Sequence, residues 1–340
     1  MPSHEAVTKM FALRIGVFSW LPYFALAQSH IERQINEGVN DSTLFTDRAT
    51  YIAHKWFSSI VVGNYLYIDG GEIFYQNGND TVQTEAKNTY SIDLSSSWTN
   101  ATVSIKQIDN AIDGRALNSP KLWPGLDKST FFSYNGEKAW FTTPANPPAN
   151  KLYKFTSDGV GAGQWSEDDE SYTASSNFTN LARVAGSASA CGPDTCYVVG
   201  GWRNSRTDNT ISDEGKPAAG VVSYNLSSSL WYNDSLISTT WQGPWFWGNL
   251  FFTDVAGSKG ILVAMGGSTS GLAGENPHPL SFEYVYLYDI ATKTWYTQST
   301  GGDVPDLPRA GYCAVGLPGT NGGSNTYEVR HPTVVIVSVG

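Results

Sequence analysis

The chain has 340 residues, of which 13% are aromatic and only 15% are charged, and its formal net charge at pH 7 is −10. This composition, with 34 glycines, is typical of many short strands joined by tight turns and disfavours long amphipathic helices. The acidic balance and the absence of any run of Lys and Arg argue against a nucleic-acid partner.

The N-terminal residues predict a secretory signal. An apolar stretch ends in small residues at Ala27, which fits the rule for signal cleavage. Arg14 and Pro22 interrupt this stretch, and they disfavour the alternative of a membrane-spanning anchor. We therefore expect a signal peptide at residues 1–27, an N-terminal segment at 28–50, and a secreted or cell-surface protein.

Six Asn-x-Ser/Thr sequons predict glycans on exposed loops if the chain enters the secretory pathway. The acceptors are Asn40, Asn79, Asn100, Asn177, Asn225 and Asn233. A sequence this rich in Asn, Ser and Thr produces several sequons by chance, so they support secretion without proving it.

The cysteines point to one disulfide. Cys191 and Cys196 are separated by Gly-Pro-Asp-Thr, so in an oxidising compartment they are expected to close a small hairpin. Two unpaired thiols at a turn are the alternative. Cys313 is left over and is expected to fill a buried strand position as a small apolar group.

Four segments share one pattern of an apolar strand, a Gly-Gly pair, an aromatic strand, a turn and a tryptophan. Three of them contain the pairs Gly70-Gly71, Gly200-Gly201 and Gly266-Gly267; in the second segment GEKAWFTTP (136–144) replaces the diglycine strand. The segments end at Trp98, Trp165, Trp231 and Trp295, which are 67, 66 and 64 residues apart. A repeat of this length predicts one structural unit used four times.

Each unit is interpreted as a four-stranded antiparallel blade. The apolar run is too short for a helix and is bounded by glycines, which predicts a buried strand. Paired glycines allow positive φ and the close approach of neighbouring backbone near an axis. The closing tryptophan is expected to bury its ring between blades.

The stretches IDGGEI, YVVGGW and YDIATKTW resemble kelch-repeat proteins, a group within the galactose oxidase/kelch-type superfamily. The secretory start and RAGYCAVG are similar to secreted or membrane-anchored fungal kelch proteins. The resemblance covers about Lys55 to Gly340 and implies an all-β fold, a kelch-type β-propeller at residues 51–340.

A fifth unit begins at Arg309 and stops in VVIVSVG at Gly340. Because four and a half blades cannot close by themselves, we expect four full blades plus a partial fifth. Missing C-terminal sequence is then expected, and it is the place for any membrane anchor. The long loops Glu72 to Lys87, Arg203 to Ala218 and Ser268 to Pro279 all follow a diglycine strand, which predicts one shared recognition face.

An enzyme was weighed against a binding module. Kelch-type propellers include copper radical oxidases, which resemblance implies would need two imidazoles and tyrosinates. The five histidines, namely His4, His30, His54, His278 and His331, show no paired spacing. Hydrolase and zinc-protease motifs are not found. The acidic run Glu167 to Glu170 favours a solvated turn, with calcium as the alternative. We expect no metal and no cofactor; an oxidase- or lyase-like enzyme with part of its site in missing sequence is the alternative.

A binding surface is predicted where each innermost strand begins, since one residue per blade should face the central funnel. These residues are His54 or Lys55, Trp123, Arg183, Trp247 and Arg309, with Trp241 and Trp245 in the adjoining aromatic patch WQGPWFW. Inter-blade core is the alternative for that patch. Charged and aromatic side chains at a pore mouth suit a carbohydrate or an acidic peptide. The predicted function is a non-catalytic propeller that binds a protein or glycan at the cell surface or wall.

Overall fold

The computed structural model describes residues 50–99, 102–110, 112, 114–142, 146–168, 178, 181–211, 215–218, 220–234, 245–269, 278–301, 304, 308, 310–311, 313–317, 325–330 and 334–339, the last three ranges without their side chains. The predicted signal peptide lies outside these residues, as do Asn40, Asn100, Asn177, Trp241 and Arg309. Every named element of the described part is a β-strand. No helix in it is long and apolar enough to cross a membrane.

The strands follow one another with short connections. The first are β1 (Tyr51–Lys55), β2 (Ser58–Val62), β3 (Tyr65–Asp69), β4 (Glu72–Asn77), β5 (Asp80–Glu85), β6 (Thr89–Asp93) and β7 (Ile105–Ile108). Next come β8 (Lys121–Pro124), β9 (Thr130–Tyr134), β10 (Tyr153–Ser157), β11 (Gly163–Glu167), β12 (Ala188–Cys191), β13 (Thr195–Val199), β14 (Trp202–Arg203), β15 (Lys216–Pro217), β16 (Val221–Asn225) and β17 (Leu230–Asp234). The last are β18 (Trp245–Phe246), β19 (Asn249–Thr253), β20 (Ile261–Met265), β21 (Ser268–Thr269), β22 (His278–Pro279), β23 (Tyr284–Asp289), β24 (Thr294–Ser299), β25 (Cys313–Leu317), β26 (Asn325–Arg330) and β27 (Val334–Val339).

Four antiparallel sheets have four strands each and follow the predicted repeat. Their strand orders are β2-β3-β6-β7, β8-β9-β10-β11, β12-β13-β16-β17 and β19-β20-β23-β24, here called sheets 1 to 4. A three-stranded sheet, β25-β26-β27, follows as sheet 5. The first strands of successive sheets contact one another, from β2 through β8, β12 and β19 to β25. These sheets confirm the all-β class and agree with a propeller; the number of blades and their closure stay predictions.

Aromatic cores fill the spaces between successive sheets. Tyr67, Phe131 and Phe155 pack between sheets 1 and 2. Trp123, Tyr134 and Tyr224 pack between sheets 2 and 3, and Leu262 and Tyr288 belong to the core between sheets 3 and 4. Rings of this size bury large apolar areas, so the inter-sheet faces supply much of the stabilisation.

Three of the four marker tryptophans occupy one equivalent position. Trp165, Trp231 and Trp295 each lie on the last strand of a sheet, opposite Phe155, Tyr224 and Tyr288 respectively. Each also belongs to the core shared with the preceding sheet. The prediction that these rings pack between blades is therefore confirmed for the three.

The prediction is wrong for Trp98. This residue lies outside the strands, before β7, and is partly buried. In sheet 1 the equivalent pair is Ile92 and Ile105, so an isoleucine takes the place of the indole. Because β6 and β7 are joined by a longer connection than in sheets 2 to 4, the spacing of 67 residues before Trp165 does not mark the repeat.

The second repeat has its own version of the glycine pair. Asn135 and Gly136 follow β9 with φ of 64° and 101°, as Gly200 and Gly201 follow β13 with φ of 64° and 112°. Asparagine tolerates this left-handed conformation better than most residues. GEKAWFTTP is therefore not the degenerate strand, which is β9 (TFFSY). With Gly136 included, the second glycines are 65, 65 and 66 residues apart.

The predicted long loops are in part regular structure. Glu72 to Lys87 forms β4 and β5, and β4 pairs with β1. The other two segments contribute β14, which pairs with β15, and β21, which pairs with β18 and β22. A strand after each diglycine can pair back because the segment before the innermost strand leaves its backbone groups open there.

The predicted disulfide is present. Cys191 and Cys196 face each other at the hairpin of β12 and β13, with their Cα atoms 4.0 Å apart. The turn after β16 forms as expected for its polar residue, since Asn225 Oδ1 accepts hydrogen bonds from the N–H groups of Ser227 and Ser228.

Three predicted glycan acceptors lie in the described part. Asn79 is exposed in the turn between β4 and β5, as predicted for a loop. Asn233 is exposed but lies on β17. Asn225 ends β16, is partly buried, and donates from Nδ2 to Thr195 Oγ1 at 3.1 Å. Asn225 and Asn233 are therefore not loop residues, because the turn begins only after Asn225 and β17 extends through Asn233.

Candidate functional site

A ring of equivalent backbone positions lies where the innermost strands begin. Each is two residues before the first strand of its sheet, and each has a left-handed backbone with φ between 53° and 66°. The ring positions are Trp56, Ser119, Gly186, Trp247 and Gly311. Hydrogen bonds link them across sheets: Trp247 N–H donates to the Gly186 carbonyl at 2.7 Å, and Gly311 N–H donates to the Trp247 carbonyl at 2.8 Å.

The glycine pairs join the sheets just beside this ring. Gly201 N–H donates to the Trp245 carbonyl in the next repeat at 2.7 Å, and Gly136 N–H donates to the Val184 carbonyl at 3.1 Å. A Cβ on Gly201 would lie 2.9 Å from the Ala185 carbonyl oxygen, so a side chain has no room there. The diglycine therefore fixes the backbone that carries the ring.

Two ring positions carry exposed tryptophans. Trp56 and Trp247 keep 42% and 43% of their surface exposed. Trp247 lies against Gly186, where an added Cβ would be 2.5 Å from the indole Nε1. Left-handed backbone at a bulky residue is strained and persists where the surroundings enforce it, often at binding sites. Phe74 and Lys55 extend this surface, with the Lys55 ammonium 4.5 Å from the Phe74 ring centre.

A buried polar network supports the same end of the sheets. The Asn118 amide donates to Glu72 Oε1 at 2.7 Å, and the Asn204 amide donates to Glu137 Oε2 at 3.0 Å. Burial raises the pKa of Glu137. Trp140 is 43% exposed, its backbone N–H donates to Glu72 Oε1, and the Arg206 guanidinium lies 5.0 Å from its ring centre. Trp140 is thus a third exposed aromatic held by this network.

The structure places Trp247 as predicted, at the start of an innermost strand and exposed. His54 is different: it is buried on β1, its Nε2 lies 2.7 Å from the Gly70 carbonyl, and its ring packs on Phe57 and Tyr90. Desolvation by burial lowers the pKa of His54 to about 4. A neutral imidazole in this place holds the glycine turn and does not face a funnel.

Trp123, Arg183 and Trp245 are also buried and do not face the funnel. Trp123 lies in the core between sheets 2 and 3, because the residue that begins β8 is Lys121, two positions earlier. Arg183 Nη2 donates to the Ala149 carbonyl. Trp245 Nε1 donates to the Gly266 carbonyl at 2.6 Å within the core of sheets 3 and 4. The core alternative therefore holds for Trp245.

Sequence reasoning missed Trp56 and Lys121. The signal for Trp56 was its spacing before the diglycine, which matches that of Trp247, but alignment on the charged residues His54 and Arg183 shifted the register. Lys121 begins β8 and lines a cavity of about 310 Å³ between the innermost strands. Desolvation lowers the pKa of Lys121 to about 8.

Within the described ranges, no group of three or more His, Cys, Asp or Glu residues is placed to hold a metal ion. In the acidic run, Glu167 pairs with the Lys151 ammonium, and Asp168 Oδ2 accepts a hydrogen bond from the Tyr224 hydroxyl at 3.2 Å. Asp169 and Glu170 lie outside the described residues.

Comparison with known proteins gives one informative likeness. No family model matches the chain. A protein described as a kelch repeat-containing protein, from the fungus Arthroderma benhamiae, is 22% identical over 318 residues. The match covers 81% of this chain and 44% of that protein, so the chain spans less than half the length of this curated relative. The likeness supports a kelch-repeat chain, in agreement with the repeated sheets.

Proposed function

We propose that this chain is a non-catalytic kelch-type propeller module that binds a partner protein through the exposed aromatic residues at the diglycine end of its sheets. The observation that carries the proposal is the pair Trp56 and Trp247. The equivalent positions in sheets 2 and 3 are occupied by Ser119 and Gly186, so the fold does not require an indole there. Two strained, exposed tryptophans are better explained by recognition than by packing.

The kelch-repeat likeness points the same way, since kelch-repeat proteins generally mediate protein interactions. Trp140 and the Lys55–Phe74 pair enlarge the surface, and tryptophan and tyrosine are enriched at the centres of protein interfaces. Carbohydrate stacking on the same rings is the second outcome that the test below distinguishes.

A secreted or cell-surface location is part of the proposal. It is supported by the signal-like residues 1–27 and by the Cys191–Cys196 disulfide, because such bonds persist in oxidising compartments. Detection of the mature chain in culture medium or on the cell surface, cleaved before Gln28, is the expected result. An uncleaved chain confined to the cytosol would contradict it.

The binding test uses substitutions that the repeat itself offers. Trp56→Ser and Trp247→Gly introduce the residues of sheets 2 and 3 at equivalent backbone positions, so folding should be kept. Tyr296→Ala removes an aromatic ring of similar exposure, 51%, from the outermost strand of sheet 4 and is the control. The immobilised proteins are exposed to secreted and cell-wall extracts and to a glycan array.

Proteins retained by the wild type and by Tyr296→Ala are expected to be lost from the double variant. Each such protein is then purified and titrated, and the double variant should bind it at least tenfold more weakly. Equal affinity of the double variant would overturn the named site. Loss of glycan binding alone, with no protein retained, would reassign the surface to carbohydrate.

A further inference from the structure

The innermost strands enclose a polar cavity directly below the ring positions. Four sheets contribute to it through the residues at the starts of their first strands, and its volume is about 310 Å³. Its lining contains one cation and no carboxylate among the described residues. The lining residues are Ser58, Ser59, Lys121, Leu122, Ser187, Ala188, Ser189, Gly248, Asn249, Leu250 and Phe251.

Lys121 is the one charged group of this lining. Its side chain is partly buried, and none of the described carboxylates forms an ion pair with its ammonium. Because a buried ammonium without a counter-ion is unfavourable, its pKa is lowered by desolvation. An anion in the cavity would supply the missing partner and reverse this penalty.

Ser187 provides a second, independent observation. It is only 3% exposed, and its Oγ has no hydrogen-bond partner among the described residues. Buried hydroxyls nearly always have partners, since an unsatisfied one destabilises the fold. Ser187 lies on β12's leading end and lines the same cavity as Lys121. Its hydroxyl is therefore a donor in search of an acceptor beside an unpaired cation.

We propose that the cavity between the innermost strands is an oxyanion-binding site, in which the Lys121 ammonium and the Ser187 hydroxyl hold a carboxylate or phosphate group. Ammonium and hydroxyl donors form strong charge-assisted hydrogen bonds to such oxygens. Ser59 and Ser189 add further hydroxyls at the wall. The cavity accommodates a small anion, while the tryptophans above it remain available for the partner of the proposed function.

The test follows the reactivity of Lys121 in the full chain. At pH 7.5 an amine-reactive ester should label Lys121 and the exposed Lys259, each quantified by mass spectrometry. Sodium acetate, sodium phosphate and sodium chloride are compared at equal ionic strength. Acetate or phosphate is expected to slow labelling of Lys121 at least fivefold, because a bound oxyanion shields the amine and favours its protonated form. Lys259 should not respond.

Ser187→Ala separates a binding role from a structural one. It should fold as the wild type does, yet require at least a threefold higher anion concentration for the same protection of Lys121. Protection by acetate alone or phosphate alone identifies which oxyanion fits. Equal labelling of Lys121 in all three salts, or protection unchanged by Ser187→Ala, would overturn the proposal. Neither result bears on the binding of a protein by Trp56 and Trp247.

Discussion

The N–H of Gly201 donates a hydrogen bond to the carbonyl oxygen of Trp245, 2.7 Å away in the following repeat. Gly71 makes the same bond to Leu117 at 2.9 Å, and Gly136 makes it to Val184 at 3.1 Å. One backbone bond thus recurs at the junctions of successive sheets. The paired glycines are needed because this junction brings two backbones into direct contact.

Gly200→Ala tests how tightly that junction is built. A Cβ on Gly200 would collide with the Trp245 carbonyl, and its φ of 64° disfavours any side chain. We expect a loss of about 2–4 kcal/mol in the free energy of unfolding, from backbone strain and the weakened bond. Denaturant unfolding measures it.

Gly63→Ala is the matched control for that variant. Gly63 has a similar φ of 59°, but nothing lies within 4 Å of an added Cβ. Its loss should be limited to the conformational term of about 1 kcal/mol. Equal destabilisation by the two substitutions would show that Gly200 is not in close contact with the next sheet.

Asp69 and Arg115 form a buried bidentate ion pair between β3 and the connection that leads to β8. Arg115 Nη1 donates to Asp69 Oδ2 at 2.8 Å, and its guanidinium stacks 3.5 Å from the Trp165 ring centre. Arg115→Met leaves a buried carboxylate, and we expect a loss of about 3–5 kcal/mol in the free energy of unfolding.

Arg115→Lys should restore little of that stability, because an ammonium cannot form the fork or stack on Trp165. Thermal melts of both variants make the comparison. Full recovery with lysine would mean that charge alone matters at this site.

His54 makes stability fall in acid. Its folded pKa is about 4, below the usual 6.5, so between these values the unfolded chain binds a proton that the folded chain does not. Its contribution is therefore complete above pH 6.5 and falls by about 3 kcal/mol as the pH drops to 4. The nearby Asp69 charge opposes the shift only in part.

His54→Gln keeps an N–H for the Gly70 carbonyl but cannot titrate. Unfolding at pH 7, 5.5 and 4 should show that the variant loses less stability in acid than the wild type. Comparing the two proteins removes the contribution of Glu137, whose raised pKa acts with the opposite sign. Parallel pH curves would contradict the assignment.

The Cys191–Cys196 bond is expected to stabilise the hairpin by restricting the unfolded chain. For so short a loop the chain-entropy relation gives about 2 kcal/mol. Reductant should lower the melting temperature of the wild type, whereas a double Cys→Ala variant should not respond to it. An equal response of both proteins would place the reducible bond elsewhere.

The repeat could be read from the sequence because glycine pairs and tryptophans mark contacts that few other residues can make. Asn135 escaped notice since it adopts the glycine conformation without being glycine, and Trp98 misled because its spacing fits by coincidence. The site was harder to predict. His54, Trp123 and Arg183 are polar or aromatic near the right places, but a shift of one or two residues along the chain turns a side chain from the axis into a core. Lys121 gave no sequence signal, since only the packing of four strands makes its cavity.

The most direct test of the repeated junction is amide hydrogen exchange at Gly71, Gly136 and Gly201. If each N–H makes the same bond to the next sheet, all three should exchange only through global unfolding, at rates within tenfold of one another. The exposed turn amide of Gly78 should exchange far faster. Rapid exchange at any one of the three, comparable to that of Gly78, would contradict the account.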